Sequence, residues 1–457
     1  MKVSPDIFRA YDIRGIVSDV LTPKTVELIG RAFGSSAVEQ KQKTVVIGRD
    51  GRLSSPELAQ ALARGLQAAG CDVIDIGLVS TPVLYFATYH LRTGSGIMIT
   101  GSHNPPEYNG LKMMLAGGTL HSDDIQALRI RIEQGSFVTG SGKYSKQDVM
   151  ASYIKRISDD VKISRPLKFA VDCGNGAAAA VAPQLFKALG QKPLELFCEV
   201  DGNFPNHHPD PSKEENLEDL RDAVAKNKLD LGLAFDGDGD RVGVIDSRGN
   251  IIWPDRTMIL FARDILSRNR GSRIIFDVKC STHLKQAITA AGGQPIMSKT
   301  GHSLIKAKMK ETDALLAGEM SGHIFFKERW YGFDDGLYSA VRLLELLAQD
   351  GRNPQELFDS LPNSINTPEL NIKFKEGEHY RFIETFQKKA RFDGAEITAI
   401  DGIRADFPDG WGLVRASNTT PSLVLRFEAD SKTGLERIQN AFREQMLKVD
   451  AKLALPF

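Results

Sequence analysis

Short apolar runs alternate along the chain with longer stretches whose apolar residues recur at helical spacing, and this alternation repeats three times before it changes. Runs at residues 45–50, 169–173 and 274–278 read as buried strands that end in a polar or glycine-containing turn. Each leads into a helical stretch closed by a glycine turn, at Ala69-Gly70, Leu189-Gly190 and Gly292-Gly293. A second strand follows at 72–77, 193–200 and 294–298, and a third at 96–100, 231–235 and 314–317. Strand, helix, strand and strand again, three times over, predicts three related mixed α/β domains. The last part differs: a strand at 369–374, a helix near 380–389, short strands, and a final helix near 434–449. That pattern predicts a C-terminal α+β domain with an antiparallel sheet. Turn-rich stretches place the expected domains at 1–145, 146–249, 250–362 and 363–457.

In all three repeats the third strand runs into an unusual polar loop. These loops are Thr100-Gly-Ser-His-Asn-Pro105, Asp236-Gly-Asp-Gly-Asp-Arg241 and Gly318-Glu-Met-Ser-Gly-His323. Open α/β sheets bind ligands beyond the carboxyl ends of their strands, so three equivalent loops are expected to meet around one central cleft. The C-terminal domain carries its own loop, Arg415-Ala-Ser-Asn-Thr-Thr-Pro421, whose hydroxyls and backbone donors beside an Arg suit a phosphate dianion.

Asp236, Asp238 and Asp240 stand at alternate positions, so in extended backbone they face one point. Three such carboxylates repel one another, which implies a cation. The EF-hand pattern fails, because Arg241 and Ser247 occupy the positions of its Gly and its bidentate Glu. The aspartyl-phosphate phosphatase pattern has Thr or Val where this chain has Asp240, and a solvated polar turn is the bland reading. Few all-oxygen ligands beside Arg241 suit Mg2+ and phosphate chemistry.

Composition narrows the partners. Lys+Arg and Asp+Glu both number 58, so no bulk charge draws the chain to nucleic acid or to anionic membrane. No apolar run is long enough to cross a bilayer, and Met1-Lys-Val-Ser-Pro-Asp lacks the apolar segment of a signal peptide. Cys71, Cys173, Cys198 and Cys280 lie far apart and read as buried free thiols, so a cytoplasmic protein is expected.

Taken together, the four loops and Phe8-Arg-Ala-Tyr-Asp-Ile-Arg-Gly15 resemble the α-D-phosphohexomutases, in particular the bacterial phosphomannomutase/phosphoglucomutase branch, over essentially the whole chain. The resemblance implies a heart-shaped, monomeric enzyme that interconverts mannose and glucose 1- and 6-phosphates through a phosphoserine and a 1,6-bisphosphate. Ser102 matches the phosphorylated serine. The nucleophile-elbow alternative fails, because Asn104 stands where that motif has Gly. The resemblance also implies one Mg2+ held by Ser102, Asp236, Asp238 and Asp240, with glucose 1,6-bisphosphate or an equivalent as activator.

Arg14, His103, Lys112, Arg241, His302 and His323 complete the implied catalytic set, with His302, His323 and Lys112 as candidates for proton transfer. Tyr11, Arg14, Lys279 and His302 match substrate-cleft positions, and Glu319, Met320, Ser321, Gly322 and His323 match the sugar-recognition loop. Met320 resembles the branch that accepts mannose and glucose phosphates. Arg415, Ser417, Asn418, Thr419 and Thr420 match the cradle for the phosphate that is not reacting. Two other readings stay open from the residues alone: a Mg2+ phosphatase with Asp236 as nucleophile, and a catalytically silent sugar-phosphate sensor.

Overall fold

The computed structural model of the chain describes residues 3–418 and 420–457. Each repeat forms a sheet with one shared strand order. In the first, Thr44–Arg49 lies parallel to Asp72–Leu78 on one side and to Gly96–Ile99 on the other. In the second, Phe169–Asp172 lies between Leu194–Leu196 and Leu231–Phe235. In the third, Arg273–Asp277 lies between Gln294–Ser298 and Leu316–Gly318. The second strand of the middle repeat is shorter than expected, because the chain turns at Phe197 with φ 51°.

A fourth strand, not expected from the sequence, turns back antiparallel beside the third in every repeat: Tyr108–Leu115, Val242–Asp246 and Ile324–Phe326. The polar loops are therefore hairpin tips, pinned at both ends by a ladder. Phe235 pairs with Val242 across one of them, and Gly318 with Ile324 across another. The first sheet also takes Ile13–Ile16 as a strand antiparallel to Tyr108–Leu115, which sets Arg14 opposite Gly110.

Helices cover both faces of the parallel strands, so Gly96–Ile99 and Leu231–Phe235 are buried at every position. The helices Pro23–Glu39 and Ser55–Ala68 cross so closely that a Cβ on Gly65 would overlap the Glu27 backbone. Three of the cysteines are buried as expected, Cys198 is half-buried, and all four are free.

One apolar cluster runs through the first three repeats. Phe86 meets Tyr153 edge-on at 5.5 Å, and Trp330 stacks on Tyr338 at 4.3 Å. The helix Gly336–Gln349 of the third repeat packs on Leu231–Phe235 and Val242–Asp246 of the second. This shared core holds the hairpin tips of neighbouring repeats in one frame.

The C-terminal domain has an antiparallel sheet in which Ile403–Phe407, Gly410–Ala416 and Ser422–Ala429 are successive neighbours, and it has a core of its own. It docks on the third repeat through Trp411 and Leu413, which pack on Val278. The Arg404 guanidinium lies 3.9 Å from the centre of the Trp411 ring and donates to the Val278 and Cys280 carbonyls at 2.7 and 2.6 Å. Arg426 donates to the Lys279 carbonyl at 2.6 Å. The segment carrying Lys279 is thus gripped from the C-terminal domain. No helix among the described residues is long and apolar enough to cross a membrane.

Candidate active site

Asp236, Asp238 and Asp240 converge as their spacing predicts. All three are fully buried, and one carboxylate oxygen from each lies within 4.8 Å of the others. Gly239 takes φ 75° to wrap the tip, and a Cβ on Gly237 would overlap the Ser102 carbonyl. The first repeat supplies compensating charge. Lys112, from the return strand, donates to Asp238 at 2.7 Å and also to Asp240, and Thr81 Oγ1 donates to Asp238 at 2.5 Å. Arg241 Nε donates to Asp236 at 3.0 Å.

Two cations against three carboxylates leave the cluster short of positive charge. Burial, reinforced by the neighbouring carboxylates, pushes Asp236 and Asp240 up to about 7. Burial acts on Asp238 in the same direction, but Lys112 and hydrogen bonds from Lys112, Thr81 and Ser102 outweigh it and hold that carboxyl well below the usual range. Asp238 Oδ1 and Asp240 Oδ1 are buried without a hydrogen-bond partner among the described residues. Two orphaned carboxylate oxygens in an all-oxygen cluster fit a small, hard cation. Asp240 also forms a second candidate ligand group with His323 and Asp334.

Ser102 meets this cluster from the first repeat. Its Oγ lies 3.1 Å from Asp236 Oδ2 and 3.1 Å from His103 Nδ1, and its backbone is left-handed at φ 49°. The His103 imidazole is held neutral, mainly by burial and then by Arg241 and Arg14. Arg14 donates to Asp12 and to Asn104 Oδ1, each at 2.5 Å, which ties the N-terminal strand to the serine loop.

Glu319 is buried at the tip of the third hairpin and accepts from the Gly301 N–H at 2.5 Å. Burial pushes its carboxyl up to about 7, against the pull of His323. Met320 N–H donates to Asp277 at 3.2 Å, Ser321 is half-buried in the turn, and Gly322 closes the turn at φ 100°. His302 and His323 stack at 5.4 Å, and Asp334 Oδ2 lies 3.5 and 3.1 Å from their respective Nδ1 atoms. Burial and then Lys306 hold His302 well below the ordinary histidine value, so this ring is neutral. Lys279 pairs with Glu369 at 3.1 Å.

The C-terminal loop closes on the far side. Arg415 Nε donates to Asp401 at 2.9 Å, and Thr420 Oγ1 donates to Ser417 Oγ at 3.0 Å. Asn418 donates to the Tyr11 hydroxyl, which in turn donates to the Thr300 carbonyl at 2.7 Å. The first, third and C-terminal domains therefore touch at Tyr11. Thr419 lies outside the described residues. Arg241 Nη2 and Arg415 Nη2 are both buried without a hydrogen-bond partner among the described residues.

Several neighbours of these residues were not singled out from the sequence. Arg52 donates to the carbonyls of Ser102, Asn104 and Pro105 at 2.7, 2.6 and 2.6 Å. Lys306 donates to Asp334 at 2.8 Å. His208 donates to the His103 carbonyl, and Asp210 lies 3.5 Å from Arg241. Arg52 was findable, since it follows the carboxyl end of the first strand. Asp334 and His208 lie in loops with no periodic signal.

Known proteins resemble the chain from end to end. The family described as phosphoglucomutase/phosphomannomutase matches in four parts: alpha/beta/alpha domain I over residues 5–139, domain II over 151–249, domain III over 253–365, and the C-terminal domain over 369–445. The phosphomannomutase/phosphoglucomutase of Pseudomonas aeruginosa is 57% identical over 451 residues, covering 99% of this chain and 97% of its own. The phosphoglucomutase of Neisseria gonorrhoeae is 55% identical over 445 residues, covering 96% of each. A crystal structure of a phosphoglucomutase/phosphomannomutase family protein from Burkholderia thailandensis superposes with a TM-score of 0.96 at 52% identity, with both chains fully covered. With all four parts matched in order and relatives alike from end to end, the chain belongs to the phosphoglucomutase/phosphomannomutase family of α-D-phosphohexomutases.

Proposed function

We propose that this enzyme interconverts hexose 1-phosphates and hexose 6-phosphates, with mannose and glucose as the sugars, through phosphoserine 102 and a 1,6-bisphosphate intermediate. The observation that carries the reading is the contact between two hairpin tips: Ser102 Oγ lies 3.1 Å from the carboxylate of Asp236, within a cluster built for a cation. Asp236, Asp238 and Asp240, with Ser102, would hold one Mg2+, which supplies charge neutralisation at a transferring phosphoryl.

The chain's own residues do the remaining work. Phosphoserine 102 gives its phosphoryl to the free sugar hydroxyl, the bisphosphate turns end for end, and the other phosphoryl returns to Ser102. Arg241 stands at the reacting end. Arg415, with Ser417, Asn418, Thr419 and Thr420, holds the phosphate at rest. The guanidinium nitrogens of Arg241 and Arg415 that lack a hydrogen-bond partner among the described residues suit a ligand that carries phosphate at either end. Glu319 and Ser321 grip sugar hydroxyls, and Lys279 faces the same ligand. His302 and His323 are the groups placed to take the hydroxyl proton, since Lys112 spends its ammonium on two carboxylates. Arg14 stays charged and orients. Contact of the C-terminal loop with Tyr11 would exclude water and limit loss of phosphate.

The same reading includes four domains divided near residues 145, 249 and 362, a monomer working in the cytoplasm, and a trace of glucose 1,6-bisphosphate or an equivalent to re-prime dephosphorylated enzyme. The test combines intact mass with a coupled assay that follows glucose 6-phosphate and free phosphate together. Purified enzyme should carry one phosphate that Ser102→Ala lacks, and Asp238→Asn should lose Mg2+-dependent turnover. Near-normal turnover by Ser102→Ala, or full activity in EDTA, overturns the proposal. Release of free phosphate in place of isomerisation would identify a phosphatase.

A further inference from the structure

Ser102 is a non-glycine residue in the left-handed region, at φ 49°. Such a backbone is strained for a residue with a Cβ and persists only where its surroundings over-determine it. The carbonyls around it show how. The Gly101 carbonyl accepts from the Asn104 N–H at 2.9 Å. Arg52 holds the carbonyls of Ser102, Asn104 and Pro105. The remaining carbonyl of the tip belongs to His103, and it accepts from His208 Nε2. A carbonyl only accepts, so His208 carries its proton on Nε2.

Arg52 belongs to the same repeat as the serine loop and fixes that loop to its own sheet. His208 comes from the second repeat, and its neighbours hold the metal loop. The Pro209 carbonyl accepts from the Gly237 N–H at 3.1 Å, and the Asp210 carboxylate lies 3.5 Å from Arg241 Nη1. His207 anchors the segment by donating from Nε2 to Asp172 at 2.9 Å. Three consecutive residues, 208 to 210, therefore touch the serine loop, the aspartate loop and the arginine that ends it.

We infer that His208 is a positioning residue for phosphoryl transfer: through the His103 carbonyl it holds the Ser102 loop in register with the three-aspartate loop of the neighbouring domain. The inference rests on the phosphoserine reading of Ser102. Without this donor the serine loop keeps its ties to Arg52 but loses one to the second repeat, and Ser102 Oγ drifts from Asp236. A displacement of about 1 Å at a reacting atom costs roughly 100-fold in rate. No hydrogen bond, ion pair or ring contact joins His208 to Glu319, Ser321 or the C-terminal phosphate loop among the described residues, so sugar binding should be left intact.

The test compares wild type with His208→Met, which fills the volume without a donor, and His208→Gln, whose amide offers an N–H near the same place. Each is assayed for kcat and KM with glucose 1-phosphate and for the rise in melting temperature on adding Mg2+. His208→Met should lose kcat by about 100-fold with KM near wild type and the Mg2+-induced rise retained, and His208→Gln should recover most of the rate. The inference is overturned if kcat of His208→Met stays near wild type, or if His208→Gln is as slow as His208→Met. It is equally overturned if the Mg2+ response disappears with kcat, because the three aspartates would then have lost their arrangement as well. Should His208→Met not fold, a wild-type-like Mg2+ response in a slow His208→Gln counts against the inference, and full activity in His208→Gln counts for it. Failure of wild type itself to isomerise would sink the phosphoserine reading instead, and this inference with it.

Discussion

Replacing Lys112 with Met tests the charge balance of the site most directly, because Met keeps the buried stem and removes only the ammonium. Lys112 is almost fully buried, and its Nζ lies 2.7 Å from Asp238 Oδ2 with Asp240 also in contact. At an effective dielectric constant of about 20, one such pair attracts by roughly 6 kcal/mol, and desolvating the ammonium offsets several kcal/mol of that. Removing one partner of a buried pair typically costs about 3–5 kcal/mol, because the surviving charge is left uncompensated. Here three carboxylates survive with Arg241 as their remaining cation. At about 2 °C per kcal/mol for a large chain, the apparent melting temperature in EDTA should fall by roughly 6–10 °C. On the proposed reading Mg2+ would bring positive charge to the same oxygens, so the deficit should shrink markedly when it saturates the site. Thermal melts of wild type and Lys112→Met in both buffers decide the matter. An equal deficit in EDTA and in Mg2+, or no deficit in EDTA, would refute the claim that Lys112 and the cation serve one cluster.

Two other outcomes follow from the far side of the site. The Glu319 carboxyl sits at about 7 in the folded protein against an ordinary 4.5, chiefly through burial, so the folded state binds the extra proton between those values. Its stabilising effect is present in full below about 4.5 and is lost as pH rises through about 7, a swing of up to about 3 kcal/mol. Melts of substrate-free protein from pH 5 to 8 should show that decline in wild type and a flatter curve in Glu319→Gln; parallel curves would contradict the assignment. Arg415→Met removes a charge-assisted donor worth about 1.5–3 kcal/mol, so KM for glucose 1-phosphate should rise roughly 10- to 100-fold with a smaller change in kcat; steady-state kinetics showing loss in kcat alone would move Arg415 away from the phosphate at rest.

Much of the site was legible because its chemistry is written in local patterns. Alternate carboxylates after an apolar run announce convergence, since a strand presents every second side chain on one face. The repeat of strand, helix, strand and strand announced three equivalent loops. The return strands escaped notice for a physical reason: Tyr108–Leu115 carries Asn109 and Lys112, polar residues that a sequence pattern assigns to solvent, yet both are buried there with partners from elsewhere in the fold. Tyr11 and Arg14 look like ordinary surface residues in sequence, and become buried because Ile13–Ile16 pairs with a strand almost a hundred residues later.

The three-fold α/β repeat, the distinct C-terminal domain, the three aspartates on one face and the four loops that carry the family resemblance can all be read from the order of residues. These follow from periodicity and from residue types a few positions apart. Which distant groups meet these loops depends on the folded chain. Arg52 meets Asn104 from 52 residues away, and His208 meets His103 from 105. Lys112 reaches Asp240 across 128 residues. Such contacts arise only after a shared apolar core has fixed the repeats against one another, and no local pattern encodes the register in which separate sheets bring their hairpin tips together.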